Sequence, residues 1–138
     1  MIRIILIWFI NLFSFFVFSF PAFAVSLTIT DFPASASSEI FNVSVLVSGA
    51  TNATNYLRID LYKEGTLNYF GETYNGTDWY GGSEGKSYFP VLIQNSSASA
   101  TLQAQIGNPS VTDYSGTGSY KLKIRRYTSS GSQSQNDQ

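Results

Sequence analysis

Acid–base or cation chemistry in this chain would fall to Glu72, Asp78 and Glu84, three carboxylates in or near glycine-rich turns. Paired carboxylates a fixed distance apart hydrolyse glycosidic bonds, one as acid and the other as base or nucleophile, and Asp78 with Glu84 would take those parts. The same three side chains offer hard oxygens for calcium, but the Asp-x-Asp-x-Asp-Gly loop is absent. No spacing motif links the nine acidic residues, so solvated acids in polar loops are the plainer expectation. Other chemistries fail on residue type. The chain has no Cys and no His, and its single Met is the initiator, which excludes thiol nucleophiles, Ser-His-Asp triads, disulfides and soft-metal sites. No catalytic residue, metal site or cofactor is expected, and the chain reads as a non-enzyme.

Aromatic residues are the better candidates for recognition. All nine Tyr follow the N-terminal apolar run, and Trp79 sits beside Tyr80 between Asn75-Gly76 and Gly81-Gly82. Flat rings stack on sugar faces and add contact area at low entropy cost, so Tyr74, Trp79 and Tyr80 form the candidate ligand platform. Rings of this size also fill sandwich cores and pair across strands, and the sequence leaves open whether Trp79 is core or surface. Arg58 and the run Lys121, Lys123, Arg125, Arg126 offer a basic stripe, of the kind that keeps a strand soluble and guards an edge. Eight Lys and Arg against nine Asp and Glu give a net charge of −1, too near neutral to steer the protein toward nucleic acid or an anionic membrane. Four Asn-x-Ser/Thr sequons, at Asn42, Asn52, Asn75 and Asn95, are a slight excess over chance in a Ser/Thr-rich chain.

The elements that carry these residues begin after a leader. Arg3 precedes an apolar run from Ile4 to Phe20, and Pro21-Ala22-Phe23-Ala24 closes it with a small-x-small site. This is the plan of a secretory signal cut after Ala24, and it predicts a secreted or cell-surface protein; an uncleaved anchor through the same segment is the alternative, and the only membrane contact expected. Beyond it the chain reads as strands throughout. Leu27 and Ile29 alternate with Thr28 and Thr30; Phe41, Val43, Val45 and Val47 with polar neighbours; Leu57, Ile59 and Leu61 with Tyr56, Arg58, Asp60 and Tyr62. Further strands are expected over 67–73, 86–93, 100–106 and 119–128, and no helical stripe competes with them. About seven strands in a single domain over 25–128, separated by turn residues, predict an antiparallel immunoglobulin-like β-sandwich held by packing alone.

Asp113 followed by glycines and then Tyr120, which opens an alternating strand, resembles the tyrosine corner before the sixth strand of immunoglobulin-like and fibronectin-type sandwiches. In that reading Tyr120, Leu122 and Ile124 point inward, Lys121, Lys123 and Arg125 point out, and the Tyr120 hydroxyl ties the preceding loop. The phrases Asn55-Tyr56-Leu57-Arg58, Tyr69-Phe70-Gly71-Glu72-Thr73-Tyr74-Asn75-Gly76, Trp79-Tyr80-Gly81-Gly82 and 120–127 together resemble uncharacterised secreted bacterial proteins in which such a sandwich is one module among others, sometimes joined to lamin-tail-type domains. The resemblance implies the fold and the address and brings no activity. A non-enzymatic module for extracellular binding, adhesion or spacing is the expectation, with a glycan or another extracellular protein as partner. Carbohydrate binding, or a carbohydrate-active enzyme working through loop carboxylates, is the alternative.

A seventh strand is needed beside the sixth, and residues 129–138 contain no apolar residue with which to build it. They are expected to form a polar disordered tail or linker. The edge along Lys121, Lys123, Arg125 and Tyr127 would then be open, with a cleft beside Leu122 and Ile124, either because the chain is a fragment or because another chain donates the strand.

Overall fold

The computed structural model describes residues 24–35, 40–107 and 114–137. The expected leader therefore lies outside the described residues, as does Ala22 of the expected cleavage site, and Ala24 is the first residue described.

The described residues form ten strands, the longer of them from alternating side chains: β1 (Ser26–Asp31), β2 (Ile40–Ser48), β3 (Thr54–Lys63), β4 (Tyr69–Phe70), β5 (Glu72–Tyr74), β6 (Trp79–Tyr80), β7 (Phe89–Leu92), β8 (Ser97–Gln105), β9 (Tyr120–Tyr127) and β10 (Gln133–Asp137). One sheet has the order β1-β2-β8-β5-β6, and the other runs β10-β9-β3-β4 with β7 also on β3. All pairings are antiparallel. Strands β1, β2, β8 and β5 facing β10, β9 and β3 reproduce the order of the immunoglobulin-like sandwich. The core lies between the sheets, where Leu27, Val43, Val45, Val47, Leu102 and Ala104 of the first meet Leu57, Ile59 and Ile124 of the second. Each comes from the apolar half of a period-2 pattern, and each is less than 9% exposed.

Two expected strands are divided. The segment 67–73 contains β4, which pairs with β3, and then β5, which pairs with β8 in the other sheet. Gly71 makes the switch with φ +104°, and a Cβ there would run into the Leu61 side chain and the Gln105 carbonyl. In 86–93 the first residues belong instead to a 3₁₀ turn, Gly85–Ser87, before β7 begins. A two-residue turn at Asn95 (φ 51°) and Ser96 (φ 61°) then leads into β8.

Between its partners β7 and β4, β3 has a gap at Ile59. Thr73, fully buried on β5 of the opposite sheet, fills it: its hydroxyl accepts from the Ile59 N–H at 2.9 Å and donates to the Ile59 carbonyl at 3.4 Å. The sheets are thus joined by hydrogen bonds as well as by packing.

The missing seventh strand is corrected. Thr128 N–H donates to the Ser132 carbonyl at 2.9 Å and Gly131 N–H to the Thr128 carbonyl at 2.8 Å, a turn that returns 133–137 onto β9 in register from Gln133↔Tyr127 to Asp137↔Ile124. Arg125 and Tyr127 are therefore not on an open edge, and 129–138 is not a wholly disordered tail. An outermost strand pairs through its backbone, which needs no apolar alternation. Lys121 and Lys123 keep part of the expectation, since among the described residues only β3 flanks them in register. The cleft is likewise halved. Leu122 lines a cavity of about 800 Å³ at one end of the sandwich with Ile29, Phe41, Leu61 and Phe70, whereas Ile124 is fully buried.

Tyr120 behaves as a corner tyrosine. Its hydroxyl donates to the Gly116 carbonyl at 2.7 Å and accepts from the Ser115 N–H at 3.3 Å, closing the loop before β9.

Candidate functional site

Tyr74, Trp79 and Tyr80 do not form one platform. Neighbouring residues of a strand face opposite ways, so β6 sends Trp79 to one side and Tyr80 to the other. Register places Trp79 opposite Tyr74 and Tyr80 opposite the buried Thr73. The Tyr74 and Trp79 rings meet at 5.4 Å between centroids, tilted by 48°, and both are half-buried. They belong to the outer face of the first sheet, outside the core. Their hairpin is ordered by Asn75, whose side chain accepts from the N–H groups of Thr77 and Asp78, both at 2.9 Å, and donates to the Ser87 carbonyl at 2.8 Å.

The row continues across the sheet. Glu72 is opposite Gln105 and Thr73 opposite Ala104, so the next residue in this register, Tyr74, falls opposite Gln103, which itself faces Asn42. Asn42, Gln103, Tyr74 and Trp79 therefore form a line of two amides and two rings over four strands, about 14 Å at about 4.8 Å per strand. Beside it, Ser44 and Thr101 hydroxyls hydrogen-bond at 3.1 Å. From β2 to β6 this face carries one charged side chain, Glu72, whose carboxylate accepts from Gln105 Nε2 at 2.6 Å. Chemically the face offers ring stacking and neutral hydrogen bonding.

Tyr80 belongs to a second cluster, over the outer face of the other sheet. Its ring meets Tyr88 edge-on at 4.9 Å, and Tyr88 stacks on Tyr127 at 5.3 Å with planes 11° apart. Tyr88 also lies under the Arg58 guanidinium at 5.1 Å, and both Tyr88 and Arg58 donate to the Gly82 carbonyl, which pulls the glycine-rich loop down over them. Beneath is Asp60, with no exposed surface, ion-paired to Arg58 and Arg125 at once. Tyr69 lies over the cations on the far side, 4.8 Å from Arg125 and 4.9 Å from the Lys123 ammonium. Burial acts to lower the Arg58 guanidinium, but Asp60, with help from Tyr88 and Tyr127, holds it above its ordinary value. Burial also pushes the Tyr88 phenol well above the ordinary tyrosine range. Of the expected basic stripe, Arg58 and Arg125 are therefore paired with Asp60 and, with Lys123, covered by rings, whereas Lys121 is exposed and paired with Glu64.

Arg126, on the inner side of β9, is buried without a carboxylate partner in reach among the described residues. It donates to Asn55 Oδ1 and Ser134 Oγ, each at 2.5 Å, and burial pushes its guanidinium down.

The carboxylates suggested for catalysis are dispersed in role. Glu72 is held by Gln105, Asp78 is exposed in the hairpin turn, and Glu84 is exposed in the loop over Tyr80. Among the described residues no three acidic side chains gather as a cation cage requires.

Sequence reasoning missed Gln103, Gln105 and Asn42 as neighbours of the aromatic pair, because the strand order that aligns them is not local. It also gave no sign that Asp60, on the polar side of its alternation, is fully buried. The presence of Arg58 two residues away on the same face was the available signal. No protein-family model, curated protein sequence or solved structure matches this chain.

Proposed function

We propose that this chain is a non-enzymatic, extracytoplasmic binding module whose ligand is a neutral glycan, held on the outer face of the first sheet. One observation carries the reading: the Trp79–Tyr74 ring pair ends a cross-sheet row of Gln103 and Asn42 on a face with a single, internally bonded acid. Rings supply stacking for apolar sugar faces and amides supply hydrogen bonds to hydroxyls, while the near absence of charge favours an uncharged chain over an acidic one. Support for the address is the apolar leader with its Ala22-x-Ala24 site, and support for a binding role over an enzymatic one is the lack of His and Cys.

The test is titration of residues 25–138 with soluble neutral polysaccharides, following Trp79 emission and heat of binding. At least one glycan should shift the emission, and Trp79→Ala should weaken binding at least tenfold, about 1.4 kcal/mol, with unchanged thermal stability. Silence across glucans, xylans, mannans and galactans, or equal binding by the variant, would sink the proposal.

A further inference from the structure

Among the described residues, β8 has a free stretch of edge that no charged side chain guards. Ser97 N–H and carbonyl both bond to Gln94, at 3.0 and 3.1 Å, on the side away from β2. Alternation along an antiparallel strand therefore aims the N–H and carbonyl groups of Ser99 and Thr101 the same way. Among the described residues no strand meets them there: β5 covers β8 only at its upper end, from Gln105 and Ala104, and β7 departs to pair with β3. A groove of about 560 Å³ runs alongside, with Phe89, Pro90 and Leu92 on its far wall.

The edges of β1, β4, β6, β7 and the uncovered part of β9 are each defended. β1 carries a bulge and ends in Asp31, β4 and β6 are two residues long, and the uncovered part of β9 bears Lys121 and Lys123. Just past β7, Ile93 N–H donates to the Ala53 carbonyl, so Pro90, three residues earlier, faces away from β3 and removes one donor from that short edge. By contrast β8 reads Ser-Ala-Ser-Ala-Thr-Leu-Gln-Ala-Gln, with no charge, no proline and small side chains over its open part.

We infer that the β8 edge from Ala98 to Leu102 accepts an extended, uncharged segment of another protein chain as an added strand. Orphan backbone groups recognise a backbone, and the alternation of half-buried Ala98 and Ala100 with exposed Ser99 and Thr101 selects small apolar residues facing in and polar ones facing out. The window admits about five residues, about 17 Å, because the Asn95-Ser96 turn closes it below and β5 above. That length rules out β8 of a second copy. Antiparallel pairing centred on Ala100 would set the partner's Ser97 opposite Gln103, where Tyr74 already lies. The occupant is therefore a flexible segment that enters and leaves extended.

A synthetic peptide copying Asn42–Ser48, which already pairs with β8 from its other side, serves as the probe when lysines are added beyond both ends for solubility. Amide hydrogen exchange on residues 25–138 should show Ser99 and Thr101 exchanging at least a hundredfold faster than Ala100, and peptide at millimolar concentration should slow both at least tenfold. Ser99→Pro removes one groove-facing donor without touching the β2 ladder, and Ser99→Lys places a cation on the edge; each should abolish the slowing while Ala100 stays protected. The inference is overturned if Ser99 and Thr101 are as protected as Ala100 in the free monomer. It is equally overturned if peptide leaves them unchanged, or if protection instead follows protein concentration through self-association. None of these outcomes depends on the glycan face, which Trp79 emission reports separately.

Discussion

Asp60 concentrates the charge physics of the molecule in one side chain. A carboxylate with no exposed surface is tolerated because two guanidinium groups reach it, and those groups are sheltered by Tyr88 and Tyr69. Asp60→Asn would leave two half-desolvated cations facing each other, and a loss of about 3 kcal/mol is expected, read as a fall in the urea midpoint at unchanged slope. Tyr88 gives a pH test. Because burial raises its phenol above the ordinary value near 10, the unfolded chain releases that proton first as pH rises. The unfolded state then binds fewer protons than the native one, so the contribution is intact below about pH 10 and is lost above it. Urea titrations from pH 9 to 12 should show the native protein losing stability more steeply than Tyr88→Phe, by up to about 1.4 kcal/mol per pH unit. At neutral pH the variant should be about 1 kcal/mol less stable, from loss of the Gly82 hydrogen bond. None of this was legible from alternation alone. A period of two assigns Asp60 to the face opposite Ile59, but whether that face is bare or covered depends on where residues 80–88 fold.

Most of the sandwich was legible at the scale of the element, and the exceptions have separable causes. β2, β3, β8 and β9 carry long alternations, and each lies within two or three residues of where those alternations place it. The division of 67–73 was hidden because β4 and β5 are both extended, and only the +104° φ of Gly71 and the sheet change distinguish them. β10 was hidden because its contribution is backbone pairing, which leaves no hydrophobic signature. Tyr74, Trp79 and Tyr80 were legible as a group but not as a site, since adjacency in sequence separates side chains on a strand. Tyr120 was legible because its corner is local, with donor and acceptor within five residues. Tyr120→Phe should cost about 1 kcal/mol and speed exchange of the Ser115 amide, with the sheets intact by circular dichroism. At the sheet switch, Thr73→Val keeps shape but strands the Ile59 N–H and carbonyl. A loss of 1–3 kcal/mol is expected, with faster exchange at Ile59.

For the whole molecule the two outer faces divide the labour of charge. The second sheet carries Arg58, Asp60, Lys121, Lys123 and Arg125, whereas the first presents amides, hydroxyls and two rings. Binding at the first face should therefore be nearly indifferent to ionic strength, with glycan affinity changing less than about twofold between 0.05 and 0.5 M NaCl, measured calorimetrically. The Thr73 hydroxyl has a further effect on how the halves of the sandwich can move. The hydrophobic effect has no direction, so burial alone fixes the relative position of the two sheets less sharply than packing combined with a directional bond. A hydroxyl that both donates and accepts a hydrogen bond at Ile59 acts like a dowel through two boards. Any sliding by one residue withdraws it and leaves a buried N–H bare, so the relative position of the sheets has one favoured setting. Shear stress applied across the domain would accordingly meet a resistance that these bonds sharpen, and the Thr73→Val sandwich should yield at a lower load than the native one.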